Sequence, residues 1–388
     1  MTLRAEDHPA PLITYALAGL RNCWLPERQR YSYRLRLDLA APANESLPEL
    51  DTFYTLNVLL GFSRLIPQHR PQTLPSIYAS CCREVGTHRW RTYAYGMALW
   101  AGVALGLEPP ANLIDAFNGI LNDPQRFSAL TAQDIGMMTS GAVAMSVADG
   151  TRWKPVAETL ALRLSQHYFD EDGRLFFNQG TGLRRSFSSF ASQVYSMLAL
   201  YQYGEAFEAD NFIMIANQTA AHLLELQGPR GEWPWFYHAP GGRVVDFYEV
   251  YSVHQHGMAP AFLHHAVAHN VADAKEALRR GFNWIFGDNE MGIDMLFPSH
   301  SVICRSQVRR GELNTTVPRI ARSVSNALLR RADSVSGHRG LVLRQECRSY
   351  ELGWILWSFG ARTDYPDLTH HSAFTSAMQA AQAGLKVQ

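Results

Sequence analysis

The sequence predicts an all-α domain: about six helical hairpins arranged in a ring, with a short, less helical N-terminal segment. Three observations carry that prediction. Helix-period apolar patterning recurs from about residue 50 onward, a small-residue signature returns at successive helix starts, and alternating strand-like runs are few. With 388 residues, 47% hydrophobic and 18% charged, the chain is long enough and apolar enough to bury a large core.

Residues 1–45, which include YSYRLRLDLA and close on a Pro-rich stretch, are the least helical part and read as an N-terminal arm, extended or holding a small strand. The helical domain is expected over 46–388. Its segments LDTFYTLNVLLGFSRL, YGMALWAGVALGL, IGMMTSGAVAMSV, PVAETLALRLSQHYF, ASQVYSMLALYQYG and NFIMIANQTAAHLLEL each place apolar residues three and four apart. Within this pattern TYAYGMALWA, TAQDIGMMTSGA, FASQVYSMLAL, SVHQHGMAPAF and RSYELGWILWS share one form: polar or aromatic residues, a small residue, Met or Trp, then an apolar helix.

The small residues are Gly96, Gly136, Ser196, Gly257 and Gly353, spaced by 40, 60, 61 and 96. A spacing of 40 to 60 suits a hairpin with its connection, and the last gap leaves room for a further unit around Thr315 to Leu329. A second repeat runs in parallel, since DEDGRLFFNQGTGLRRSFSSFASQVYSML and GPRGEWPWFYHAPGGRVVDFYEVYSVHQHGM each offer a Gly turn, an aromatic cluster, an Arg-bearing loop and a helix start. In a ring of hairpins every second helix lines the centre, and small residues let those inner helices approach closely.

Charge narrows the function classes. Lys plus Arg and Asp plus Glu number 35 each and no basic run stands out, so neither nucleic acid nor an anionic membrane is favoured as a partner. No uninterrupted 18-residue apolar run exists, so no membrane insertion is expected. The N-terminal MTLRAEDHPAPLITYALAGLRNCW puts acids ahead of an interrupted apolar stretch, which is wrong for a secretory signal and points to the cytoplasm. Five cysteines without CxxC spacing read as reduced, buried thiols.

If the helix starts converge, the polar residues just before each small residue face one cavity: Tyr93 and Tyr95, Gln133 and Asp134, Gln193 and Tyr195, His254 and His256, then Arg348, Tyr350 and Glu351. Carboxylate, imidazole, phenol and guanidinium together are what acid/base work on a polar substrate needs. Asp134 and Glu351 are a candidate hydrolytic carboxylate pair. Equally, Asp134 could complement the dipole of its own helix, and Glu351 could pair with Arg348 across one turn. The stretch 227–258 is the most aromatic, and Trp233, Trp235 and Tyr248 are candidate platforms for the flat apolar faces of sugar rings. His254 and His256 have no metal-ligand spacing, so neither a metal nor another cofactor is expected.

Repeated hairpins, chain length and Gly-x-Trp aromatic turns resemble the α/α-toroid enzymes. One branch is carbohydrate-active and comprises unsaturated uronyl hydrolases, uronate-polysaccharide lyases, glucuronyl C5-epimerases and acylglucosamine 2-epimerases. The other is the squalene cyclase and prenyltransferase branch, whose Q-x-x-x-G-x-W turn is matched once by Gln227, Gly231 and Trp233, while its DxDD and DDxxD acids and its zinc set are absent. The resemblance to the first branch implies an enzyme acting on a uronate-containing oligo- or polysaccharide by hydrolysis, β-elimination or epimerisation. Arg91, Arg184, Arg243 and Arg348 would then hold carboxylates. His254 or Tyr251 would take the proton α to the carboxylate, with Arg348 stabilising the enolate. In hydrolysis Asp134 and Glu351 would act. Tyr95, Gln193, His256 and Tyr350 complete the expected substrate contacts. A non-catalytic toroid that binds a glycan or a protein stays open, as does a terpene-cyclase-like toroid without the usual acids.

Overall fold

A computed structural model describes residues 10–88, 90–150, 152–182, 184–335, 337–362 and 368–386. Their α-helices in chain order are α1 (Pro11–Asn22), α2 (Pro48–Phe62), α3 (Leu74–Cys82), α4 (Thr92–Ala104), α5 (Ala111–Leu121), α6 (Pro124–Ser128), α7 (Ala132–Asp149), α8 (Lys154–Arg163), α9 (Phe190–Phe207), α10 (Asp210–Leu226), α11 (Ala259–Ala268), α12 (Ala274–Trp284), α13 (Val317–Leu328), α14 (Ser349–Phe359) and α15 (Ser372–Lys386). A π turn over His254–Met258 leads into α11, the Ala259 N–H donating to the His254 carbonyl five residues back.

Packing closes α2, α4, α7, α9, α11 and α14 into an inner ring, each on the next and α14 back on α2. Outside them α3 packs on α2, α5 on α4, α8 on α7, α10 on α9, α12 on α11, and α1 on α14 with α15 beside it. The chain is thus an α/α toroid of six hairpin-like pairs. Composition separates the layers: Asp51–Phe62 of α2 is buried all round, whereas α12 buries Ala274, Ala277, Leu278, Gly281 and Phe282 along one stripe.

The small residues do what the repeat predicts: Gly96, Gly136, Ser196 and Gly353 lie in inner helices, and Gly257 lies in the π turn. A Cβ on Gly96 would sit 2.2 Å from the Met137 carbonyl oxygen, and one on Gly257 would sit 2.6 Å from Trp354 Cβ. Two expectations change. The sixth inner helix is α2, at the start of the ring. Thr315 to Leu329 instead forms α13, which lies on the strand Arg243–Asp246. An amphipathic helix with an inward polar face has the same period as a ring helix, so the gap length alone misled. Within the first 45 residues, Pro11–Asn22 is a helix that buries Leu12, Ile13, Tyr15, Ala16 and Leu20, its signal shortened in the sequence by the Pro-rich approach.

Short strands serve the ring's mouth. Strand Val250–Tyr251 pairs with Ser306–Arg309, which pairs with Leu341–Arg344. A second sheet joins 187–189, 236–238 and 243–246, and a third joins 34–36, 43–45 and 346–347. The five cysteines are free and buried.

Candidate active site at the mouth of the ring

All six inner helices send a residue from near their N-terminal ends into one cavity of about 160 Å³: Phe53 and Tyr54 from α2, Tyr93 from α4, Gln133 from α7, Tyr195 from α9, His254 from the π turn and Tyr350 from α14. Connecting segments add Trp235, Tyr251 and Arg305. Only one residue of each expected pair points inward, because helical residues turn about 100° per position. Thus Tyr93, Gln133, Tyr195, His254 and Tyr350 line the cavity, while Tyr95, Asp134, Gln193, His256, Arg348 and Glu351 do not.

His254 is held by stacking. Its ring lies 6.1 Å from that of Trp235 at an interplanar angle of 7°, and 4.5 Å from that of Phe190. Its Nδ1 has no hydrogen-bond partner among the described residues. Burial first, then the charge of Arg305, pushes its pKa well below the ordinary histidine value, so the imidazole is neutral at neutral pH. Tyr251 lies 5.1 Å away, ring to ring, and its Oη donates to Glu249 Oε2 at 3.2 Å.

Arg305 brings the cation. Its guanidinium lies 4.7 Å from the Tyr251 ring centroid and donates to Glu351 Oε1 at 2.7 Å. Glu346 Oε1 is 3.4 Å from Arg305 Nε. Glu351 is fully buried and its Oε2 has no partner among the described residues. Burial raises its pKa to about 7 against the pull of Arg305 and Arg348.

Behind Tyr251 lies a dense ionic layer. Glu249 accepts from Arg344 Nε at 2.7 Å and from the Ser306 hydroxyl, with Arg319 Nη1 at 3.5 Å. Arg319 reaches in from α13, its guanidinium 5.6 Å from the Trp235 ring centroid. Asp246 pairs with Arg309 at 2.8 Å, Arg322 at 3.2 Å and Arg319 at 3.5 Å.

The other sequence candidates sit elsewhere. Asp134 forms a capping box with Thr131, whose backbone N–H donates to its Oδ2 at 2.9 Å. Arg348 donates to Glu346 Oε1 at 2.8 Å and lies over Tyr33. Trp233 is fully buried between Phe190 and Phe262, in a turn where Gln227 Nε2 donates to the Gly231 and Ala277 carbonyls. Tyr248 Oη donates to Glu290. Gln193 bonds both backbone groups of Phe176. His256 is buried, neither ring nitrogen has a partner among the described residues, and its pKa falls to about 3 through burial. Tyr95 packs on Trp90. Arg91 is exposed, 3.9 Å from Glu49. Arg184 is exposed in a loop, and Arg243 donates to the Ala327 carbonyl.

Arg305 and Arg319 were not singled out from the sequence. Arg305 lies just beyond a two-residue strand and Arg319 lies on α13, outside the ring, so the helix-start repeat marks neither. A larger groove of about 610 Å³ near Met214 and His269 lies between outer elements, away from the convergent helix ends. Among the described residues no group of three or more His, Cys, Asp or Glu side chains is placed to hold a metal ion, and no helix is long and apolar enough to cross a membrane.

No protein-family model matches the chain, and no curated protein matches it by sequence. Solved structures do match in fold. Cellobiose 2-epimerase from Bacillus thermoamylovorans B4167 aligns with a TM-score of 0.63 at 10% identity, covering 91% of this chain and 97% of that one. An unsaturated glucuronyl hydrolase specific for heparin aligns at 0.57 and 12% identity, covering 89% and 94%. An inactive variant of the α-1,6-mannanase GH76A of Salegentibacter sp. HEL1_6, in complex with α-1,6-mannotriose, aligns at 0.55 and 10% identity, covering 90% and 98%. The chain therefore has the α/α-toroid fold that these carbohydrate-active enzymes share.

Proposed function

We propose that the cavity is the active site of an enzyme that moves a proton at the carbon next to the carboxylate of a uronate-containing glycan, giving epimerisation or β-elimination. The observation that carries this reading is the convergence of six inner-helix N-terminal ends on a cavity holding a neutral imidazole and a guanidinium. Helix N-termini carry partial positive charge, and with Arg305 they favour a carboxylate and, more strongly, the enolate formed from it. His254 accepts the proton, and the electron pair it leaves moves onto the carboxylate held by Arg305. Tyr251 then returns a proton to the carbon in epimerisation, its phenolate facing Arg305 and Arg319; in elimination the enolate pair instead forms the carbon–carbon double bond as the β-substituent departs, its oxygen taking the Tyr251 proton. Trp235, Tyr54 and Tyr350 offer ring faces for sugar stacking.

Hydrolysis is less well supported, because a carboxylate pair flanking the scissile bond is its usual requirement and no Asp or Glu is among the cavity-lining residues. A volume of about 160 Å³, below the usual range for ligand sites, suits one sugar unit at a chain end.

The test is a panel of uronate-containing oligosaccharides, with products followed by ultraviolet absorbance for an unsaturated sugar and by deuterium incorporation at C5. His254→Ala and Arg305→Lys are each expected to lower turnover by about 10² or more with the melting temperature nearly kept. Turnover that survives both changes, or ligand binding with no product and no exchange across the panel, sinks the catalytic reading.

A further inference from the structure

Helix α13 is amphipathic the wrong way round for a helix covering a protein. Its inner face is polar: Arg319 and Arg322 reach Asp246, Glu249 and Glu312, and Asn326 donates to the Val245 carbonyl. Its outer face carries Val317, Ile320, Val324 and Leu328, at helical spacing, with Leu329 just beyond. These five are 70%, 60%, 42%, 79% and 57% exposed, and they make up half of the large exposed hydrophobic residues among the described ones. Patches of this kind mark contact surfaces.

The charge around the stripe is one-sided. Residues 310–340 hold six arginines and two acids. Both acids are occupied inward, Glu312 by Arg322 and Asp333 by Arg309, while Arg310, Arg330, Arg331 and Arg339 are exposed. The overall charge balance conceals this local excess. A two-fold contact with a second copy would set one basic apolar face against another. The helix is also only about 18 Å long and about 10 Å across, a small part of the roughly 800 Å² that each partner buries in a stable dimer. An apolar stripe edged by arginine and shallow enough to lie in an interface suits an anionic lipid surface.

We propose that the outer face of α13 is a peripheral docking surface for anionic membranes, lying in the headgroup region without crossing it. Because the inner face of the same helix reaches Trp235 and Glu249, docking would hold the cavity mouth beside the bilayer.

Flotation of the full chain with vesicles tests this. Phosphatidylcholine vesicles containing phosphatidylglycerol are expected to carry the protein at low salt, and vesicles of phosphatidylcholine alone to carry at least tenfold less. Ile320→Glu with Leu328→Glu should abolish flotation, and Arg330→Glu with Arg331→Glu should weaken it severalfold, with circular dichroism unchanged. Should the first pair fail to fold, Val324→Trp gives a second reading: a blue-shifted emission quenched by brominated phosphatidylglycerol is expected. The proposal is overturned if the wild type stays free of anionic vesicles, if uncharged vesicles bind it equally, or if light scattering shows a dimer that Ile320→Glu with Leu328→Glu dissociates.

Discussion

The inner ring and the strand-and-α13 layer above it are built on opposite terms. In the ring, shape decides: backbone meets backbone at Gly96, Gly136 and Gly353, and α2 and α4 are buried around most of their circumference. In the layer above, charge decides: Asp246, Glu249 and Glu312 are almost fully buried and paired with Arg309, Arg319, Arg322 and Arg344, while α13 buries only Ser323. The cavity lies where the two meet, with His254 supplied by the ring and the environment of Tyr251 supplied by the charged layer. Close backbone contacts thus fix the frame that carries His254, and a buried ionic layer surrounds Tyr251.

Four changes would break or sharpen that contrast. The largest effect is expected from Trp233→Ala, which empties a fully buried site between Phe190 and Phe262 and should cost about 3–5 kcal/mol in denaturant unfolding. An unchanged melting temperature together with lost sugar binding would make Trp233 a ligand platform instead. Gly96→Ala should cost about 3 kcal/mol, since the Met137 carbonyl 2.2 Å from the new Cβ belongs to a neighbouring helix and cannot step aside cheaply. Neither loss should depend on salt.

Asp246→Asn belongs to the other regime. It leaves three arginines facing a neutral amide and should cost about 3 kcal/mol at low ionic strength, with an effect that added salt changes. Limited proteolysis should then cut within 313–335 before the ring opens, and cleavage elsewhere first would show that the layer is not independently loosened. The smallest effect is set by pH. Burial first, then the charge of Glu290, raises the Glu232 carboxyl to about 7, above its unfolded value. Its contribution to stability is therefore complete below the unfolded value of about 4.3 and is lost as pH rises through about 7. Glu232→Gln lacks that loss and should be the more stable protein by about 2 kcal/mol at pH 9, with the gap closing near pH 5. Parallel stability curves for the two proteins would refute the assignment.

The ring was legible because its determinants are local and repeated. A Gly or Ser followed by Met or Trp and an apolar helix marks five of the six inner helices. The first, α2, escaped because its close contact uses Gly61 at the helix's far end, against the Gly353 carbonyl. The site was half legible. His254, Tyr251, Tyr350 and Trp235 were named with their neighbours, but the choice within each pair depends on helix phase, which one residue of error at a helix start reverses. Arg305 and Arg319 were not legible, since their roles come from pairings such as Arg305 with Glu351 across 46 residues. Nothing in their own neighbourhoods distinguishes them from other arginines.

The π turn at His254–Met258 gives the site an unusual kind of dependence. A hydrogen bond spanning five residues instead of four is in effect one residue of slack stored in the helix, so the direction of His254 is set by a length as well as by its stacking on Trp235 and Phe190. Deleting Gln255 would let that turn tighten into ordinary α-helix and swing His254 by about 100° from its place beside Trp235. The site can therefore be edited by counting as well as by chemistry, since one residue fewer here would present a different face of the same helix to the cavity.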